Sequence, residues 1–244
     1  MRRIVPALLV LLATAVPASA QPAKERIWFS ISGGAQLTNN SFDDAFDLTL
    51  YTEPEHVTVN YPAKSGLLIA GSGGYRVWRQ LFVGLGVTRY SSSGDAQVTA
   101  QLPHPFFDNT YRNIEGTAPR TRTELGAHVL IGWMMQPTRT VRVMLTGGPS
   151  YITAKQPIVT EVTFTEAFPY DTAQFTGVKT TDASKGAPGF HAGADVFWMF
   201  GKNVGVGGLV QVTHASIKAP ANGGRSVTFD AGGAQAGGGL RFLF

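Results

Sequence analysis

The chain contains no cysteine and few charged residues, and both shortages restrict what it can be. Without cysteine it has no disulfide framework, no thiolate-ligated metal site and no thiol catalysis. Charged residues make up 15% of the 244 positions, against about 25% in a typical soluble domain. Hydrophobic residues reach 43%, which argues against intrinsic disorder. After residue 20 the chain also lacks an apolar run of the roughly 20 residues that a transmembrane helix needs.

The N-terminus has the layout of a secretory signal peptide. Arg2 and Arg3 form a basic start, an apolar stretch covers 4–16, and small residues around Ala18 and Ala20 form a cleavage site. We expect a leader over residues 1–20, cleaved after Ala20. Its removal lowers Lys+Arg from 20 to 18 against 16 Asp+Glu, so the formal charge falls from +4 to +2. This weak charge argues against nucleic acid as a partner.

The rest of the chain alternates with period two, which predicts strands. Leu125, Val129 and Ile131, for example, alternate with Glu124 and His128. Stretches with helix periodicity are lacking, so the sequence predicts an all-β fold. We count eight such runs, at 26–38, 65–77, 81–92, 120–135, 141–153, 187–200, 204–217 and 226–244.

The connections between these runs are alternately short and long. Tight links lie at 78–80, 137–140 and 201–203, whereas the other connections are longer and include stretches of about 25 to 35 residues. Short periplasmic turns and longer extracellular loops are typical of bacterial outer-membrane barrels. An even number of strands also returns both termini to the periplasmic side.

Two further patterns favour a barrel in lipid. All four tryptophans, Trp28, Trp78, Trp133 and Trp198, lie near the chain start or a short turn, as an aromatic girdle at one membrane interface requires. The polar residues share one face with the glycines, opposite an aliphatic and aromatic face; they are Arg76, Glu124, His128, Arg142, Asp195, Gln211, Gln235 and Arg241. We therefore predict polar residues inside and apolar residues outside. A soluble β-sandwich or lipocalin-like barrel is the alternative.

The last strand ends in alternating apolar residues and a terminal phenylalanine, from Gly238 to Phe244. With the leader and the eight runs, the chain resembles the small OmpA/OmpX-type outer-membrane β-barrels. This resemblance implies an eight-stranded antiparallel transmembrane barrel over residues 21–244, located in the bacterial outer membrane. It also implies outer-membrane lipid and lipopolysaccharide as surroundings, and the barrel assembly machinery as a partner of the C-terminal strand. Members of this group serve in adhesion, defence or envelope stabilisation.

One short segment suggests a catalytic site. The run from His214 to Asn222 is similar to the His-x-Ser segment of the PagL-like lipid A deacylases, which use a His–Ser–acid triad on the lipid-facing side of a barrel. Parity with Val212 places His214 and Ser216 outward. Pairing about Asn222 would set Asp230 opposite His214, where it could orient the imidazole. The Asn-Ala-Gly expected after the serine is missing, and the acid would be Asp rather than Glu.

The inward charges suggest ion pairs that fill the lumen. We expect Arg142 or Arg241 to pair with Asp195, and Glu124 to lie near His128; a proton or ion path is the alternative reading. The five histidines are too dispersed for a metal site. No cofactor or metal is predicted.

The long loops hold aromatic residues that suit contacts with extracellular proteins or glycans. They lie in a first loop around Phe42 and Phe46, a second around Phe106 and Phe107, and a third containing Phe164, Phe168, Tyr170 and Phe175. Alternatively, these segments extend the barrel wall as hairpins above the membrane. We expect a non-enzymatic surface or envelope protein; a lipid A hydrolase and a narrow channel are the alternatives.

Overall fold

The computed structural model describes residues 25–37, 41–221 and 224–244. Ten strands make up nearly all of them: β1 (Ile27–Leu37), β2 (Phe42–Leu50), β3 (Glu53–Tyr61), β4 (Gly66–Trp78), β5 (Leu81–Pro103), β6 (Tyr111–Met135), β7 (Val141–Glu166), β8 (Ala173–Met199), β9 (Val204–Pro220) and β10 (Ser226–Leu243). No helix among the described residues has the length and apolarity needed to cross a bilayer. The predicted leader lies outside the described residues.

Eight of the strands close into a ring. The order is β1-β4-β5-β6-β7-β8-β9-β10, and β10 pairs back onto β1 from Trp28↔Leu243 to Leu37↔Ala234. Each of these pairings is antiparallel. Closure satisfies the backbone of a sheet that has no edge in lipid. The predicted eight-stranded antiparallel barrel is confirmed.

The hairpin β2–β3 lies outside this ring and is not among the eight predicted runs; it falls in the first long loop. It hydrogen-bonds to the upper part of β5 from His56↔Gln101 to Asn60↔Gln97. Its other strand approaches β10, where Asp44 forms a 3.0 Å ion pair with Arg225. The hairpin therefore bridges β5 and the start of β10 above the eight-stranded ring.

The connections are short at one end of the barrel, as predicted, with β4–β5, β6–β7 and β8–β9 joined by tight turns. At the other end the strands run further than the sequence indicated. β5 continues to Pro103 and β6 begins at Tyr111, and β7 and β8 are of similar length. Most residues of the predicted long loops therefore belong to strands of the barrel wall. This confirms the alternative that the loops extend the barrel as hairpins.

An apolar belt surrounds the outside of the lower barrel. Val129, Ile131 and Val196 are 43%, 53% and 51% exposed. Along β6 the belt runs from Leu125 to Trp133, about 26 Å along the strand and roughly 20 Å along the axis of a barrel whose strands tilt by about 40°, which is close to the height of a lipid-facing band. The predicted orientation is confirmed; the other large belt residues include Phe29, Ile31, Leu67, Ile69, Leu85, Val87, Leu145, Val206, Val210, Val212 and Leu240.

Above the belt the chemistry of the two faces reverses. On β6 the inward positions Glu124 and His128 are polar beside the belt, whereas Ile114 and Ala118 are buried and apolar further up. These upper residues belong to an apolar core whose largest members include Val59, Tyr61, Leu102, Ile158, Ile217 and Phe229. Where the barrel wall passes from lipid into water, its outward side chains must be polar and its apolar side chains must face inward. The upper half of the protein is therefore a water-exposed head with its own apolar core.

The tryptophan girdle is only partly confirmed. Trp78, Trp133 and Trp198 are 61%, 42% and 57% exposed at the short-turn end, but Trp28 is 3% exposed and faces inward. Trp28 shares the inward face of β1 with Ser30 and Ser32, so the prediction was wrong for this residue. It belongs to an apolar cluster that fills the periplasmic mouth with Phe82, Leu130, Met134, Met144, Phe197, Met199 and Leu243.

Candidate functional site

A polar layer crosses the lumen directly beneath the apolar core of the head. Its centre is the buried carboxylate of Glu124, which pairs with Arg122 at 2.6 Å. Glu124 also accepts hydrogen bonds from the backbone N–H of Gly232 at 2.9 Å and from Gln36 Nε2 at 3.1 Å. Gly232 has a φ of 93°, a conformation that favours glycine. The predicted neighbour of Glu124, His128, bonds elsewhere, because Arg122 on the same strand reaches the carboxylate first.

Below this layer two histidines lie side by side. His128 contacts Thr88 Oγ1 through Nε2 at 2.9 Å and Ser150 Oγ through Nδ1 at 2.7 Å. Ser150 Oγ also lies 3.1 Å from His191 Nδ1. The two imidazoles meet edge to face with their centroids 5.1 Å apart. Hydroxyl groups thus satisfy both nitrogens of His128 and the Nδ1 atom of His191, whereas His191 Nε2 has no hydrogen-bond partner among the described residues.

The lowest ion pair of the lumen is the one between Arg241 and Asp195, at 2.7 Å. This pairing was one of two predicted for Asp195. Arg142 instead donates to the backbone carbonyls of Thr138 and Arg139, at 3.5 and 3.2 Å. The turn that precedes β7 brings these carbonyls to its guanidinium. The lumen is therefore filled by paired side chains between two apolar clusters, which favours packing over conduction.

The three residues of the hypothetical triad all lie on the outer face, as their parity predicts. His214, Ser216 and Asp230 are exposed above the belt. The register differs from the prediction: Asp230 pairs with Ser216, and Gly232 lies opposite His214. The imidazole of His214 lies 5.7 Å from the ring of Phe190, on the neighbouring strand. Asp230 is therefore placed across from the serine instead of the base that it would orient.

The far end of the head is built from three chain segments that converge on Arg112. They are the β2–β3 turn, the 104–110 loop and the 167–172 loop, which together form what we call the tip. Arg112 pairs with Glu166 at 2.5 Å and donates to the carbonyls of Tyr170, at 3.0 Å, and Pro103, at 2.8 Å. Tyr51 donates to the same Glu166 carboxylate. This network holds the three segments in one arrangement.

The Glu166 carboxylate and the Tyr51 phenol at the tip have shifted pKa values. Burial acts to raise the pKa of Glu166, but hydrogen bonds from Tyr51 and Arg112 outweigh it and hold that pKa below its usual range. The hydrogen bond to Glu166 raises the pKa of Tyr51. Both directions favour an ionised carboxylate and a neutral phenol at neutral pH, so the network stays intact there.

The tip presents aromatic rings to solvent. Phe106, Phe107 and Phe168 are 68%, 61% and 84% exposed. Tyr170 joins them edge to face, with centroids 5.5 Å from Phe106 and 6.1 Å from Phe168. Large apolar side chains exposed together mark a contact surface. These four predicted loop aromatics are therefore grouped together at the tip.

The other predicted loop aromatics face the core instead. Phe46 is buried, and Phe42 stacks on Tyr61 with centroids 4.5 Å apart. Phe164 and Phe175 are partly buried against the same core. Their prediction as exposed contact residues was wrong, because these segments form wall whose inward positions must be apolar above the membrane. The signal that could have found this is their period-two spacing with neighbouring polar residues, such as Asp43 and Asp47.

No protein-family model matches the chain, and no curated protein matches it. Several solved structures are similar in fold, and three of them serve as examples. Neisserial surface protein A has 10% identity and a TM-score of 0.46 over 89% of this chain and 97% of that one. OprG from Pseudomonas aeruginosa has 13% identity and a TM-score of 0.48 over 90% and 97%. The outer membrane protease OmpT from Escherichia coli has 10% identity and a TM-score of 0.48 over 93% and 99%.

The closed ring and the lipid-facing belt define the class of this protein. It is an eight-stranded antiparallel membrane β-barrel, with the architecture of the small OmpA/OmpX-type outer-membrane proteins.

Proposed function

We propose that the protein is a non-enzymatic surface protein of the bacterial outer membrane that binds an extracellular macromolecule through its tip. The observation that carries this proposal is the exposed aromatic group of Phe106, Phe107 and Phe168, held on an ordered frame by Arg112 and Glu166. Aromatic side chains supply much of the binding energy in protein interfaces. A frame that is already ordered loses little entropy on binding.

The height of the tip supports an external partner. About fourteen residues of β6 stand above the belt, which raises the tip by roughly 35 Å for a strand tilted at about 40°. Aromatic residues that anchor a barrel lie at the membrane interface itself. The tip rings are too far from their own bilayer to act in this way, so they are available to a partner outside the cell.

The outer wall supports the membrane partners that we propose. Arg89 is exposed at the upper edge of the belt, opposite Leu125, and Lys218 is exposed six residues above Val212, so both can meet lipopolysaccharide phosphates. The C-terminal Phe244 is also exposed, at the periplasmic end of the belt. We propose that this strand end is the segment that the barrel assembly machinery contacts.

Binding through the tip is tested with the folded protein in nanodiscs, passed over immobilised fibronectin, laminin, collagen and neutral glycans. We expect the protein to bind at least one of them, and the variant Phe106→Ser/Phe168→Ser to bind about tenfold or more weakly, since hot-spot aromatics cost about 2 kcal/mol or more. The control Gln97→Ala/Thr117→Ala changes two exposed residues that pair with each other lower on the same hairpin. A wild-type protein that binds nothing, or a serine variant that binds like wild type, contradicts the proposal.

The absence of catalysis is tested separately. Co-expression with lipopolysaccharide and mass analysis of lipid A should show no loss of an acyl chain, because Asp230 pairs across from Ser216 and not His214. An acyl chain that is lost with the wild type and retained with Ser216→Ala would establish the hydrolase instead. Thr228→Ala, two positions from Asp230 on the same outward face of β10, is the matched control.

A further inference from the structure

The tip differs in charge from the rest of the protein. Its loops carry Asp108 and Asp171, and the strand ends that adjoin them carry Glu53, Glu166 and one cation, Arg112, so the formal charge of this region is −3. The whole chain has a formal charge of +4. Arg112 is already paired with Glu166. The remaining acidic groups therefore face solvent beside the aromatic rings with no lysine or arginine of the tip left to neutralise them.

Aromatic rings and carboxylates together suit a cationic ligand. The face of an aromatic ring attracts a guanidinium or ammonium group, by about 0.5–2 kcal/mol. Within the described residues the four arginine–ring contacts involve Phe82, Trp78, Phe229 and Phe46, so none uses a tip ring. Asp171 is 72% exposed next to this surface. The tip thus offers both components that an arginine or lysine side chain binds.

A buried donor adds an independent indication of a ligand. The Nδ1 atom of His104 accepts hydrogen bonds from the backbone N–H groups of Phe106 and Phe107, at 3.1 and 3.3 Å, so a neutral ring carries its proton on Nε2. The His104 side chain is 2% exposed, and its Nε2 has no hydrogen-bond partner among the described residues. Asp171 Oδ1 lies 3.9 Å away, which is too far for a hydrogen bond. A backbone carbonyl that entered this gap would satisfy the donor.

We propose that the partner of the tip is a basic polypeptide segment rich in arginine and lysine, an inference that rests on the proposed function. Its cations would lie over Phe106, Phe168 and Tyr170 and against Asp108 and Asp171, and its backbone would supply the carbonyl for His104. Charge complementarity steers such partners together and excludes those of like charge. Sulfated and phosphorylated ligands are therefore disfavoured at this surface.

The test uses the folded protein in phosphatidylcholine nanodiscs and a synthetic twelve-residue peptide of arginine, lysine and glycine. We expect saturable binding that weakens as salt rises. Asp108→Asn/Asp171→Asn should weaken it by about tenfold, as should Phe106→Ser/Phe168→Ser. The control Asp95→Asn/Glu115→Gln removes two exposed acids midway along the same hairpin and should leave binding unchanged.

Three results would overturn the inference. The first is no binding of the basic peptide, and the second is binding that the control weakens as much as the tip variant does. The third is binding of maltoheptaose or phosphatidylcholine vesicles that Phe106→Ser/Phe168→Ser abolishes but Asp108→Asn/Asp171→Asn does not. This third result leaves the tip as a binding surface and removes only the basic partner. A failure of the proposed function itself would appear in the experiment with immobilised proteins and glycans. There, binding to none of them would depend on the tip rings.

Discussion

Two buried carboxylates in this protein have opposite surroundings. Glu124 receives hydrogen bonds from Arg122, Gly232 and Gln36, so its charge is compensated inside the lumen. Glu55, on the inward face of β3, has an Oε1 atom with no hydrogen-bond partner within the described chain. Burial raises the pKa of Glu55, and the nearby charge of Glu161 raises it further. A buried charge without partners destabilises the fold, whereas a compensated one is tolerated.

Replacing Glu55 with glutamine should therefore stabilise the head at neutral pH, by about 1 kcal/mol, since it removes the cost of an ionised buried group. The folded-state pKa lies above the unfolded one, so the wild type is most stable below the usual glutamate range and loses stability as pH rises through the raised pKa. Urea unfolding between pH 4 and pH 8 should show this loss in the wild type and a smaller one in Glu55→Gln. Glu115→Gln, exposed on β6, is the control; equal pH dependence in all three proteins would contradict the argument.

At the level of single residues, the sequence predicted which face of the barrel wall a side chain occupies better than it predicted the hydrogen-bond partners of that side chain. Period two correctly placed Glu124, His128, Asp195 and Arg241 inside. The partners depend on which strands become neighbours and how far each side chain reaches, so Arg142 and Glu124 bond to groups that alternation does not indicate. Trp28 shows the same limit, because nearness to a turn does not decide which way a ring points.

At the level of strands, a single continuous strand passes from the lipid into water. On β5 the inward face changes from small and polar residues such as Gly86 and Thr88 beside the belt to Val98 and Leu102 in the head, while exposed and buried positions keep alternating. Alternation alone therefore predicts the strands but not where the membrane ends. The hairpin β2–β3 was left out of the eight predicted runs and covered only by the alternative, since its inward Phe46, Val57 and Val59 belong to the head. The register of β9 and β10 was also missed, because a turn rich in proline and glycine permits several pairings.

The head should unfold independently of the barrel if its core is broken. Val98 on β5 is buried in the head core, so Val98→Asp should destabilise the head by about 3 kcal/mol or more. We expect proteases to cut within the upper strands of this variant while the lower barrel keeps the shifted gel mobility of an unheated folded protein. Thr99→Asp places the same charge on the adjacent exposed position and should have little effect. If both variants resist cleavage equally, the head core does not carry this stability.

Across the whole molecule, three interior zones follow each other along the barrel axis. The apolar cluster around Trp28 and Phe82 fills the periplasmic mouth, the paired polar groups fill the middle, and the apolar core of the head covers the other end. An eight-stranded barrel has room for side chains but not for a wide pore. The barrel is thus a filled support for the head, and we propose that partners bind at the exposed tip of that head.

This arrangement predicts that the protein does not conduct ions. Reconstituted into a planar bilayer, the wild type should give no stepwise current, whereas a general porin in the same bilayer gives steps. Asp195→Ala should also be silent, although it leaves Arg241 without its partner and lowers stability by about 3 kcal/mol or more. The reason is that the apolar clusters, and not the central ion pair, close the lumen. Steady steps from the wild type that change with Asp195→Ala would show that ions pass this pair, and the sealed barrel would then be wrong.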